Sequence, residues 1–185
     1  MKILNYLIII FICINPSVKA DSKQALIDEL QKGGKLIFIR HAYAPGGGDP
    51  DNFDINDCTT QRNLSDSGRI QSQKIGNFFE KNKILIGKVY SSEWCRCKET
   101  AFIAFKKYET KNFLNSFFSA KFVKNKKKQI IDFDKFISTW DEDQNLVFVT
   151  HYVFISEILD YAPSSGEIVI SDVSLKVIDT LEIEY

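Results

Sequence analysis

The sequence predicts an α/β domain built as a three-layer sandwich, with helices on both faces of a mostly parallel central sheet. Two apolar runs, residues 36–39 and 146–149, each end in one polar residue that is followed by a histidine, His41 or His151. Apolar runs of this length, rich in Ile, Val and Phe, are typical of strands that are buried on both faces of a parallel sheet. Helical periodicity alternates with these strands, which indicates crossover connections. A chain of 185 residues suffices for one such domain and is short for two.

The spacing of apolar residues and of turn residues predicts the remaining elements in order. A helix begins after Ser65 or Asp66 as its N-cap, and Gly87 ends that helical unit. The other predicted helices lie over 22–31, 94–107, 130–140 and 153–161, and the other strands over 89–90, 168–170 and 175–183. Residues 112–118 fit neither pattern. The loop over 44–63 carries three glycines, two prolines and four aspartates, and loops of such length tend to be functional.

The first 20 residues predict a secretory signal peptide. Lys2 precedes an apolar stretch over 6–14, and small residues up to Ala20 suit cleavage before Asp21. The apolar stretch is shorter than the roughly 20 residues that span a bilayer. We therefore expect a mature domain over 21–185 that is secreted or periplasmic and has no membrane span after cleavage.

The charge of the chain does not favour a nucleic-acid partner. Removing Lys2 and Lys19 from 24 basic residues, against 24 acidic ones, leaves a net charge of −2. One basic cluster lies over 121–128. Such a cluster is more often a solvated face than a binding patch, and if it binds, its ligand is an anion.

Three cysteines remain after the predicted cleavage, namely Cys58, Cys95 and Cys97. In an oxidising compartment this odd number predicts one bridge and one spare thiol. Side chains two residues apart at a helix start point away from each other, so the bridge is expected to join Cys58 to Cys95 or to Cys97. The alternative is a thiol or zinc protein in which Cys95, Cys97 and a histidine bind metal, although a single C-x-C pair is a weak zinc signal.

Three segments at the predicted strand-to-helix junctions resemble the histidine phosphatase superfamily, which has the phosphoglycerate mutase-like fold. They are the pair Arg40-His41, the pattern Ser-x-x-x-Arg-x-x-x-Thr-Ala around Arg96, and the late His151. Their order and spacing match the family over residues 36–158. The glycine-rich residues 46–50, with 58–65 and 94–97, resemble an exported bacterial subgroup.

The resemblance implies that His41 is the nucleophile, that Arg40 and Arg96 bind phosphate, and that His151 completes the pocket, without metal or cofactor. A neutral imidazole can attack phosphorus and form a phosphohistidine, which splits one hard displacement into two easier ones. Guanidinium groups meet phosphoryl oxygens in a bidentate fashion that lysine cannot reproduce. Arg62 is either a further substrate contact or an anchor for its loop.

One departure from the family concerns the general acid. Many members carry a glutamate where this chain has residues 114–118, which include no carboxylate, and Tyr152 stands where another branch has an aspartate. The proton must then come from one of five carboxylates, or the leaving group needs none, as in a phosphoramidate. The five candidates are Asp49, Asp51, Asp54, Asp57 and Glu99.

The sequence thus predicts a phosphatase that acts on a phosphomonoester or phosphoramidate, with a small phosphorylated molecule or a phosphohistidine peptide as substrate. A catalytically weak phosphate-binding module of the same fold is the alternative. A mutase is less favoured, because the chain shows no inserted lid segment that would hold a bisphosphate.

Overall fold

The computed structural model describes residues 16–141 and 143–185, with side chains from residue 23 onward. Most of the predicted signal peptide lies outside this range, so the signal and its cleavage stay predictions. Within the described residues no helix is both long enough and apolar enough to cross a membrane. The helices are α1 (Pro16–Gln31), α2 (Asp66–Lys81), α3 (Cys95–Phe105), α4 (Lys126–Ile137) and α5 (Tyr152–Leu159).

The strands form a single six-stranded sheet in the order β3-β2-β4-β1-β5-β6. They are β1 (Leu36–Arg40), β2 (Ile86–Ser91), β3 (Glu109–Thr110), β4 (Asn145–Thr150), β5 (Ile168–Ser171) and β6 (Val177–Leu181). All pairings among the first four strands are parallel, whereas β5 runs antiparallel to both β1 and β6. The predicted three-layer α/β fold with a mostly parallel sheet is therefore confirmed. The two strands that precede the histidines, β1 and β4, are neighbours at its centre.

Side chains of the central strands alternate between two apolar layers, because successive residues of a strand point to opposite faces. In β1, Ile37 and Ile39 pack in the layer formed with α1, α2 and α3. Leu36 and Phe38 pack on the other face, with residues of α4 and α5. Phe38 is fully buried there, and its replacement by Ala would cost about 3–5 kcal/mol.

Several predicted boundaries are wrong for identifiable reasons. Helix α2 ends at Lys81, and Gly87 lies inside β2, where a Cβ atom would come within 2.4 Å of the Gln144 side chain. Helix α4 begins at Lys126, four residues before the predicted start, because its first turn is polar and carries no apolar periodicity that would reveal it. The N-cap of α2 is Ser65, whose Oγ accepts a hydrogen bond from the Gly68 amide at 3.1 Å.

The structure pairs Cys58 with Cys95, one of the two pairings that the sequence left open. This bridge ties the loop over 44–63 to the first residue of α3. Cys97 is free and buried. The zinc alternative is wrong, because the Cys95 sulfur is used in the bridge, and the described residues contain no cluster of His, Cys, Asp and Glu suited to a metal.

Candidate active site

The carboxyl ends of β1, β2 and β4 bring the candidate residues together. The His41 amide donates to the Thr150 carbonyl at 2.9 Å, and the Ser92 amide donates to the Val149 carbonyl at 2.9 Å, so the sheet pairing continues past the strand ends. The ring centroids of His41 and His151 lie 5.5 Å apart. Arg40, His41, Arg62, Arg96 and His151 all line one cavity of about 420 Å³.

The position of the proton on His41 follows from its two neighbours. Nδ1 lies 2.9 Å from the Ala42 carbonyl oxygen, which can only accept a hydrogen bond. Nε2 lies 3.1 Å from Nε of Arg96, which can only donate. Both contacts require the proton on Nδ1 and a lone pair on Nε2.

The environment of His41 keeps the ring neutral. The side chain is buried, and burial lowers its pKa well below the usual range, with the positive charges of Arg96, Arg62 and Arg40 acting in the same direction. The ring is therefore neutral at pH 7 and its Nε2 carries no proton.

Helix α3 holds its arginine through the threonine of the same motif. Thr100 Oγ1 donates to the Arg96 carbonyl at 2.7 Å and accepts a hydrogen bond from the Ala42 amide at 3.1 Å. The hydroxyl thus joins α3 to the residue that follows His41. This contact explains why the arginine and threonine of the motif belong together.

The other two arginines line the cavity, and a backbone carbonyl anchors each of them. Arg40 Nη1 donates to the Pro163 carbonyl at 2.9 Å, and Arg62 Nη1 donates to the Ala44 carbonyl. The Nε atoms of Arg40 and Arg62 are buried and have no hydrogen-bond partner among the residues that the structure describes. Buried donors without a partner are unfavourable. Arg62 therefore both anchors its loop and faces the cavity.

A hydrogen-bonded chain behind His151 fixes the proton of that ring. Asn115 Nδ2 donates to the Glu93 carboxylate at 2.6 Å, so its Oδ1 faces Ser92 Oγ at 3.1 Å and accepts the hydroxyl proton. Ser92 Oγ can then only accept from His151 Nε2, which lies 2.9 Å away. The proton of neutral His151 consequently sits on Nε2, and Nδ1 has no partner among the described residues.

The structure separates the five candidate acids. Asp49 and Asp51 line the cavity. Asp54, Asp57 and Glu99 lie outside its lining. The carboxylates of Asp54 and Asp57 accept backbone amides of their own loop, and Glu99 pairs with Arg69 at 2.7 Å on the outside of α3.

Asp49 does not act as a proton donor in this arrangement. Its carboxylate binds the Arg96 guanidinium through Oδ1 at 2.7 Å and Oδ2 at 3.2 Å. Partial burial works to raise the pKa of Asp49, but the hydrogen bonds and the charge of Arg96, aided by Trp94, outweigh it and lower that pKa. The group is ionised and serves as an acceptor.

Aromatic side chains form a further part of the cavity lining. Phe53 stacks on Trp94 with centroids 5.0 Å apart, and Phe122 meets Trp94 edge-on at 5.4 Å. Phe118 and Tyr152 line the same space with much of their surface exposed. Phe118 and Phe122 lie in the irregular segment before α4, which has no periodic pattern, so sequence reasoning missed them.

The basic cluster over 121–128 is divided between the cavity and the surface. Lys121 lines the cavity, and its Nζ lies 5.5 Å from the centroid of the Phe122 ring. Lys126 pairs with Glu157 at 2.6 Å, and Lys128 pairs with Asp132. One lysine of the cluster thus adds positive charge near the site.

Comparison with known proteins connects this chain to others by structure alone. No protein-family model matches it, and no curated protein is significantly similar in sequence. Solved structures do match, 118 chains in all.

Three of these neighbours illustrate the likeness. A phosphoglycerate mutase from Thermus thermophilus superposes with a TM-score of 0.54 at 14% identity, covering 81% of this chain and 99% of that one. An Escherichia coli K-12 protein assigned as an alpha-ribazole-5'-P phosphatase gives 0.59 at 14% identity, covering 81% and 96%. The protein histidine phosphatase SixA, solved with tungstate, gives 0.53 at 14% identity, covering 80% and 96%. The chain thus has the phosphoglycerate mutase-like fold of these phosphatases and mutases.

Proposed function

We propose that this chain is a phosphatase that hydrolyses a phosphomonoester or a phosphoramidate through a phosphohistidine on His41. The observation that carries the proposal is the unprotonated Nε2 of His41, which faces a cavity lined by the guanidinium groups of Arg40, Arg62 and Arg96. An unprotonated ring nitrogen beside donors that suit phosphoryl oxygens is what phosphoryl transfer to a histidine requires.

In the first step, Nε2 of His41 forms a bond to phosphorus while the bond from phosphorus to the leaving group breaks. The leaving group takes the electron pair of that bond. A weakly basic aryl oxide departs as the anion, and a more basic leaving group takes a proton from water. A phosphoryl oxygen replaces Nε2 as the acceptor for the Arg96 Nε hydrogen, which frees the electron pair for attack. Each aligned donor of this kind is typically worth about 100-fold to 1000-fold in rate.

In the second step, water attacks the phosphorus and the bond to Nε2 breaks. The electron pair returns to Nε2, the water loses a proton to solvent, and inorganic phosphate leaves. An anion beside the ring raises the pKa of His151, which favours a proton on its Nδ1. The protonated Nδ1 then donates a hydrogen bond to the phosphoryl group in both steps. The Ser92 hydroxyl holds that ring through Nε2.

The cavity offers few groups that could donate a proton to the leaving group. With Asp49 bound to Arg96, Asp51 is the one remaining candidate acid that lines the cavity. A leaving group that needs little proton transfer, such as an aryl oxide or the nitrogen of a phosphoramidate, suits this acid-poor site.

Export belongs to the same proposal. The bridge between Cys58 and Cys95 supports it, since disulfides persist in oxidising compartments and are rare in the cytosol. We place the mature protein outside the cytoplasmic membrane, in the periplasm or the medium.

Turnover of 4-nitrophenyl phosphate by the purified protein tests the proposal. We expect release of nitrophenolate by the wild type and none by His41→Ala. A protein that binds inorganic phosphate but turns over neither aryl phosphates nor phosphoramidates would instead be the phosphate-binding module of the same fold.

A further inference from the structure

We propose that Asp49 is a positioning residue that holds the Arg96 guanidinium so that its Nε and Nη2 edge faces the phosphoryl group. The inference rests on the proposed phosphatase function and assigns the glycine-rich loop a part in it. Asp49 then acts through Arg96 and does not touch the substrate.

Four of the five N–H groups of Arg96 lie in pairs on two edges of the planar fork, and the fifth, on Nη1, lies beside them. Asp49 accepts from Nη1 and from Nη2, at 2.7 and 3.2 Å, and the Arg62 carbonyl accepts a second hydrogen of Nη1 at 3.2 Å. The Nε hydrogen points at His41 Nε2, 3.1 Å away. The remaining hydrogen, on Nη2, has no partner among the described residues and lies on the same edge as the Nε hydrogen.

This division leaves one complete edge of the guanidinium for two phosphoryl oxygens. That edge faces the nitrogen that would attack the phosphorus, so the oxygens it binds belong to the group being transferred. Rotation of the fork would break both contacts with Asp49. The carboxylate therefore selects the orientation of the arginine before any substrate arrives.

Asp49 is itself held on both of its oxygens. Trp94 Nε1 donates to Oδ2 at 3.0 Å, and the Arg62 amide donates to Oδ1 at 3.1 Å. The loop reaches this position through Gly46 and Gly48, whose φ angles of 89° and 75° favour glycine.

The ion pair between Asp49 and Arg96 is shielded from water. Their side chains are 14% and 4% exposed. Breaking such a pair strands a buried charge, unlike the loss of a surface ion pair. Removing the Asp49 charge would therefore leave the buried Arg96 guanidinium without its ionic partner.

Calorimetric titration with orthovanadate tests this role without relying on turnover. We expect Asp49→Asn to bind vanadate at least 10-fold more weakly than the wild type, with kcat/KM for 4-nitrophenyl phosphate falling in parallel. In an Arg96→Lys background the same substitution should change binding by less than 2-fold, because residues that act as a unit are not additive. Asp57→Asn, in the same loop, is the matched control and should bind normally.

A second variant tests the same role if Asp49→Asn fails to fold. Trp94→Phe removes the donor to Oδ2 while keeping an aromatic ring, and it should weaken vanadate binding by a few-fold, again only when Arg96 is present. Equal or tighter binding by Asp49→Asn would overturn the inference and make the carboxylate a competitor of the anion. So would a loss of binding that persists unchanged in the Arg96→Lys background. Absence of vanadate binding to the wild type would overturn the proposed function together with this role.

Discussion

Nε of Arg96 lies 3.1 Å from Nε2 of His41 and donates a hydrogen bond to it. The contact joins the nucleophile and the main phosphate ligand of the proposed mechanism before a substrate is present. Burial lowers the pKa of His41, and the positive charge of Arg96 at this distance lowers it further, so the imidazole is neutral.

Arg96→Lys should lower kcat/KM by about 100-fold although the charge is kept. A single ammonium cannot bind Asp49 and also present a two-donor edge to the phosphoryl group. Steady-state kinetics with an aryl phosphate measure the loss. Arg69→Lys, on the surface beside Glu99, is the matched control, and activity near the wild-type value in Arg96→Lys would show that this side chain does not bind the reacting group.

Folding stability should fall as the pH drops below about 6.5, the pKa of histidine in an unfolded chain. Burial and neighbouring arginines lower the pKa of both His41 and His151 in the fold. Below pH 6.5 the two histidines are therefore protonated in the unfolded chain but not in the folded one. This difference lasts until the pH falls to their lowered pKa values in the fold. The expected slope is about 1.4 kcal/mol per pH unit for each histidine.

Urea unfolding between pH 5.0 and 7.5 measures this slope. Carboxylates ordinarily titrate below that window, and the chain has only two histidines. His151→Asn should remove about half of the dependence. A flat profile in the wild type would mean that the rings are protonated in the fold.

An acid-poor site should prefer good leaving groups. We expect an alkyl phosphate to react at least about 100-fold more slowly than 4-nitrophenyl phosphate, because general acid catalysis typically contributes 100-fold or more. Asp51→Asn should leave this ratio unchanged. If that variant instead loses alkyl phosphate turnover selectively, Asp51 is the general acid and the site is not acid-poor.

The bridge between Cys58 and Cys95 should stabilise the protein by about 4 kcal/mol in the chain-entropy model. Cys58→Ser should lose that amount in denaturant unfolding, and reduction of the wild type should reproduce the loss without affecting the variant. Mass spectrometry of the unreduced protein should show one cross-linked pair and a free Cys97. Three free thiols would contradict both the bridge and the proposed export.

The part of the site that follows from strand order was predictable from sequence. Buried parallel strands are recognisable as apolar runs, and their carboxyl ends must meet at one edge of the sheet, which brings Arg40, His41 and His151 together. Arg96 followed from its place in the motif at the next junction. The sequence limited the disulfide partner of Cys58 to Cys95 or Cys97.

The contacts made by irregular segments were not predictable in the same way. Four aspartates share the loop over 44–63, and no periodicity distinguishes Asp49, which binds Arg96, from Asp57, which caps a turn. The partners of Asn115 and Trp94 likewise depend on how loops cross in space. Such contacts are set by tertiary packing and leave no mark on local sequence pattern.

Trapping the phosphoenzyme shows which residue attacks the phosphorus. The purified protein would be mixed with excess 4-nitrophenyl phosphate, quenched within the first turnover in alkali, where phosphohistidine survives, then digested and sequenced by mass spectrometry. We predict one phosphoryl group, on the peptide that contains His41, formed as fast as nitrophenolate is released and absent from His41→Ala. A phosphoryl group on another residue, or full turnover by His41→Ala, would contradict the account.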